Sequence, residues 1–161
     1  MPDPQDPIFD ALRRGAPAEA LAAAQAAVIA TPDNPAALQA LAYAQQANGD
    51  AAQALASLDR AIELAPDDAD AHFARAGLLL GGGQVDAAQA ALARSIGLDP
   101  NQFGAYVLQA QLALRRGDLD EADRLRRLAA RIVPEHPHLA AIEGTVALRR
   151  GDATTAQRVL A

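Results

Sequence analysis

The sequence predicts an all-α protein built from one helix pair repeated along the chain. Three columns of identical residues carry that prediction. Gly15, Gly49, Gly83, Gly117 and Gly151 fall at a spacing of 34 without a gap, as do Ala20, Ala54, Ala88, Ala122 and Ala156. Pro32, Pro66, Pro100 and Pro134 form the third column. No segment alternates apolar and polar residues as a strand would.

Each column has a mechanical reading. The first helix of each unit ends at the glycine, which supplies the left-handed backbone that stops a helix at little cost. The phrase Ala-Leu-Arg-Arg-Gly at 11–15, 113–117 and 147–151 is such a stop. Its arginines, Arg13, Arg14, Arg115, Arg116, Arg149 and Arg150, complement the carbonyl end of the helix dipole. The second helix starts at once: Asp50, Asp118 and Asp152 are good N-caps, with Gln53 and Glu121 three residues on in the position of a capping box. Ala16 lacks such a side chain, and Pro17 at the first helical position partly replaces it.

The alanine column marks where the second helix crosses the first, since a larger side chain would push the axes beyond the ~8–10 Å of close packing. The proline column closes the second helix. Asn34-Pro35 and His136-Pro137 open the next unit as cap and first-turn residue. The reading is nine helices joined by tight turns, from about 7–14 and 17–30 onward. A single pair is too small to bury its apolar face, so stacked pairs form a quasi-one-dimensional solenoid. The units are 1–34, with a short first helix, 35–68, 69–102, 103–136 and an incomplete 137–161, in one domain over 1–161.

Composition agrees. The chain is 51% hydrophobic and 21% charged, aromatics are 3%, and cysteine and tryptophan are absent. This is the balance of a folded chain whose core is made of small side chains. All 14 basic residues are arginine, which together with the alanine excess points to a GC-rich, bacterial coding bias. The net charge of −6 argues against a general nucleic-acid binder, which needs a basic face. That charge is uneven: 13 acids and 5 Arg over 1–102 give −8, and 7 acids and 9 Arg over 103–161 give +2. The Pro-rich acidic start lacks the features of a signal peptide. The most apolar run, 21–30, is far short of the ~20 residues of a membrane span. A cytoplasmic protein is expected, without membrane contact.

At this point the chain resembles the tetratricopeptide repeat family, whose unit is 34 residues of paired helices with small, apolar and proline positions in this order. Residues 35–68 match best, through Leu38, Leu41, Ala42, Gly49, Ala54, Leu58, Ala61 and Pro66. The resemblance implies a right-handed superhelical solenoid that binds peptides or partner proteins along a concave face of first helices. Carried onto this chain, that face holds Gln39, Tyr43 and Gln46, then Phe73, Gly77 and Leu80, then Val107, Gln111 and Leu114, then Ala141, Thr145 and Leu148. Tyr43 and Phe73 are expected as aromatic anchors and Leu80, Leu114 and Leu148 as an apolar strip; equally, some of these leucines pack between neighbouring first helices. The family's Lys, Arg and Asn clamp for a terminal carboxylate is absent, its positions holding Gln39, Tyr43, Ala74, Gly104 and Leu108.

Two departures from the pattern stand out. After Leu41 its column reads Arg75, Gln109 and Glu143, and Arg126 replaces a large apolar residue. Either the first helices rotate, with Leu108 and Ile142 turning inward, or the three polar groups form a ladder through Gln109. Catalytic signals are thin: the Glu135, His136 and His138 turn lacks further metal ligands, and Gly81-Gly82-Gly83-Gln84 follows no strand and lacks the lysine of a phosphate loop. No enzyme, cofactor or metal is expected. The function expected is a protein or peptide interaction scaffold. Its alternatives are the recruiting arm of a larger transferase or hydroxylase, and homodimerisation through the C-terminal helix, where Val159 and Leu160 lack a following unit.

Overall fold

The computed structural model describes residues 7–160, the side chain of Leu160 excepted, and all regular structure among them is helical. Ten helices follow in order: α1 (Pro7–Arg13), α2 (Pro17–Ala30), α3 (Pro35–Ala47), α4 (Ala51–Leu64), α5 (Ala69–Gly81), α6 (Val85–Leu98), α7 (Phe103–Arg116), α8 (Leu119–Ile132), α9 (Pro137–Arg150) and α10 (Ala153–Leu160). The expected nine become ten because residues 153–160 complete a fifth pair. Two compact units divide the chain, residues 1–91 and 92–161.

All five column glycines have positive φ, between 70° and 91°. Each turn then closes in the same way. The residue after the glycine donates its backbone N–H to the carbonyl five residues earlier, Ala16 to Ala11, Asp50 to Gln45, Gln84 to Leu79, Asp118 to Ala113 and Asp152 to Ala147, every one at 2.9 Å. This is the Schellman closure, and it satisfies carbonyls that a helix end leaves open.

The same bond corrects the expectation of capping boxes. A box needs the cap residue's own N–H to bond the side chain three residues on, and here that N–H is already taken. Asp118 and Asp152 do cap, accepting from the N–H groups of Glu121 at 3.1 Å and Thr155 at 3.0 Å. The Glu121 carboxylate turns instead to Arg124, at 2.6 Å, and this ion pair holds it below the usual carboxylate range. Asp50 makes no side-chain cap. It accepts from Asn48 Nδ2 at 3.0 Å, and Gln53 accepts from Gln45.

The alanine column is buried throughout: Ala20, Ala54, Ala88 and Ala122 have no exposed surface and Ala156 has 3%. In the first unit, Ile8, Ala11, Ala20, Ala24, Ala40 and Ala44 form one cluster and Ala42, Ala54, Leu58 and Leu78 another. Buried Gln45 joins α3 to α4, with its Oε1 accepting from Ser57 Oγ at 2.7 Å. In the second unit the core gathers Val107, Ala110, Ala113, Leu114, Ala122, Leu125, Ala129, Leu139, Ile142 and Val146. No helix among the described residues is long and apolar enough to cross a membrane.

Candidate interaction face

Tyr43 is the best-defined residue of the predicted binding face. Asn34 and Pro35 start α3, the Asn34 side chain accepting from the Ala36 N–H at 3.0 Å, and Tyr43 follows two turns later. Its ring lies 5.9 Å from that of Phe9 on α1, tilted by 59°, a separation at which aromatic rings attract. Burial, then the charges of Asp70 and Asp68, raise the pKa of its phenol. Asp68 does two jobs: one carboxylate oxygen caps α5 through the N–H groups of Asp70 and Ala71, and the other accepts from Gln39 Nε2. Gln39 is thereby fixed beside the start of α5. Gln46 is exposed, and Phe73, Gly77 and Leu80 are half-buried along α5.

In a Tyr106→Phe variant, which leaves Tyr43 as the sole tyrosine, absorbance titration is expected to give a midpoint above the ordinary phenol value of roughly 10. The folded state favours the protonated phenol. Its contribution to stability is therefore complete below the unfolded pKa and is lost as the pH rises through the folded one. A midpoint at or below the ordinary value would contradict the burial of this ring.

In the second unit the face is divided. Val107 and Leu114 are 5% and 9% exposed and belong to the core, so Leu114 follows the packing reading. Leu148 on α9 is 59% exposed, Gln111 is half-buried and Ala141 exposed. Thr145 spends its hydroxyl on the Ala141 carbonyl at 2.7 Å.

The polar column is compensated locally. Arg75 Nε donates to Asp59 Oδ1 at 2.7 Å. Glu143 pairs with Arg126 at 3.3 Å and Arg158 at 2.8 Å, while Arg126 also holds Asp123. Gln109 and its neighbour Leu108 are both half-buried, and Ile142, next to Glu143, is 2% exposed. A hollow of about 280 Å³ between α8, α9 and α10 is lined by Arg126, Glu143, His136, Leu139, Arg158 and Val159 among others. Its charged floor is the ion-paired set just described.

His136 serves the backbone: its Nδ1 accepts from the His138 N–H at 3.2 Å, and its ring packs 4.7 Å from Phe103. Among the described residues no group of three His, Asp or Glu is placed to hold a metal. Arg149 donates to the Leu114 carbonyl in the last turn of α7, and Arg150 pairs with Asp120. Helix-end stabilisation thus reaches from α9 to a neighbouring helix.

Phe9 is the residue missing from the predicted face. The period itself would have found it, since it lies one repeat before Tyr43.

The sequence profile of the tetratricopeptide repeat matches residues 11–78 and 45–112. The chain belongs to the tetratricopeptide repeat family. Among curated proteins, none matches it. Solved structures agree in fold. MamA from Desulfovibrio magneticus RS-1 is 24% identical with a TM-score of 0.78, covering 95% of this chain and 86% of that one. PilF of Pseudomonas aeruginosa is 17% identical with a TM-score of 0.85, over 94% and 69%. The Cut9 and Hcn1 hetero-tetramer of the APC/C is 16% identical with a TM-score of 0.83, over 94% of this chain and 29% of that one.

Proposed function

We propose that this tetratricopeptide repeat chain is a non-catalytic interaction scaffold that grips a peptide segment of a partner protein on the face of its first helices. The observation that carries the reading is the clustering of aromatic surface there. Of three phenylalanines and two tyrosines in the chain, Phe9 and Tyr43 stand with their rings 5.9 Å apart, and both, like Phe73 on α5, are only half-buried. Aromatic side chains that keep part of their surface in water are the usual anchors of an interface. As the recruiting arm of a larger enzyme, the chain would use the same surface.

The test is panning of a displayed library of random twelve-residue peptides against the chain. Enriched peptides are expected to lose roughly tenfold or more in affinity against Tyr43→Ala and against Phe73→Ala, the loss of about 1.4 kcal/mol or more that marks an anchor. Absence of enrichment, or binders indifferent to both substitutions, would sink the proposal.

A further inference from the structure

Gly77 is out of place in its helix. It lies mid-way along α5 with ordinary helical backbone, where glycine destabilises relative to alanine. Among the described residues nothing demands it, because a methyl group added there would meet no atom of another element or side chain within 4 Å. Gly97 has similar room, but it stands next to the last residue of α6, where a fraying helix loses little.

The register shows what Gly77 leaves open. Phe9, Tyr43 and Gly77 occupy one position in three successive units, and the first two place their rings 5.9 Å apart. The third carries no side chain, and the space just beyond its Cα is open. Phe73 stands one turn before this gap on α5 and Asp70 a further turn back. The described part of this unit is acidic, residues 7–91 holding 10 acids and 4 Arg, a net of −6, and Asp70 and Asp68 both act on the Tyr43 phenol. A cation laid over a tyrosine face with a carboxylate nearby is held by ring quadrupole and ion pairing together.

We propose that the notch at Gly77 takes the arginine or lysine side chain of a cationic partner segment, stacked on Tyr43 with Asp70 as its counter-charge. This rests on the peptide-binding reading above and narrows it to basic partners.

The same panned library tests it. Enriched peptides are expected to carry Arg or Lys at one fixed position and to bind more weakly as salt rises. Gly77→Ala should weaken them about tenfold by filling the notch, while raising the melting temperature by about 2–4 °C through its better helix propensity. Asp70→Asn should cost roughly threefold and flatten the salt dependence. Peptides that need Tyr43 and Phe73 but carry no basic residue would overturn the cation site and leave the groove standing; so would undiminished binding to Gly77→Ala. Peptides indifferent to Tyr43 and Phe73 would instead overturn the groove itself.

Discussion

Leu58→Ala is expected to lower the stability of the chain by about 3 kcal/mol, within the 2–5 kcal/mol range of buried leucine truncations. Leu58 is 1% exposed and packs with Ala42, Ala54 and Leu78, flanked by Leu55 and Ala74. Three of those five neighbours are alanines, whose methyl groups cannot reach into the space left behind. Both the transfer of the lost carbons and the residual cavity should therefore be felt. Urea unfolding of the whole chain measures it. A midpoint within error of the parent would mean that α4 is not held by this residue, and the packing described for the first unit would be wrong.

Ala122→Leu is expected to be damaging in the opposite sense, costing about 1–3 kcal/mol or more by overpacking. Ala122 has no exposed surface and lies in the core of the second unit with Leu125 and Ala129 from its own helix and Val107, Ala110 and Ala113 from α7. Three more carbons at the crossing of α7 and α8 must force the axes apart. The control is Ala153→Leu at an exposed position of α10, which should be close to neutral. Thermal unfolding that shows Ala122→Leu as mild as that control would remove the physical reason for the alanine column.

Those two sites also show why so much of the fold could be read in advance. A glycine recurring where φ must be positive, and an alanine recurring where two backbones meet, are requirements of the backbone, so the residue type alone reports the geometry. Side-chain partnerships are less legible. Asp50 and Asp118 occupy the same column, yet Asp118 caps its helix and Asp50 is drawn back to Asn48. The closing bond at 2.9 Å that makes the capping box impossible in every turn lies in the backbone, where no residue name announces it. Gln45 is buried with its amide bonded by Ser57 and Gln53 on α4, partners that the repeat columns do not name. Among the first helices, Leu114 and Leu148 share a column and differ in fate: one is 9% exposed in the core and the other 59% exposed. Which of them is covered depends on packing around each helix, and a repeat period does not encode that. Phe9 was hidden by the shortness of its helix, although its spacing to Tyr43 equals that of every other matched pair.

The identical Schellman turns carry a genetic consequence. Because the closing hydrogen bond and the glycine that permits it lie within six consecutive residues, each hinge is written by its own codons. An unequal crossover that joins the sequence up to Gly49 to the sequence after Gly83, or duplicates the stretch between them, would recreate a correct turn at the splice. Such a gene can lengthen or shorten its product one unit at a time without inventing any new junction.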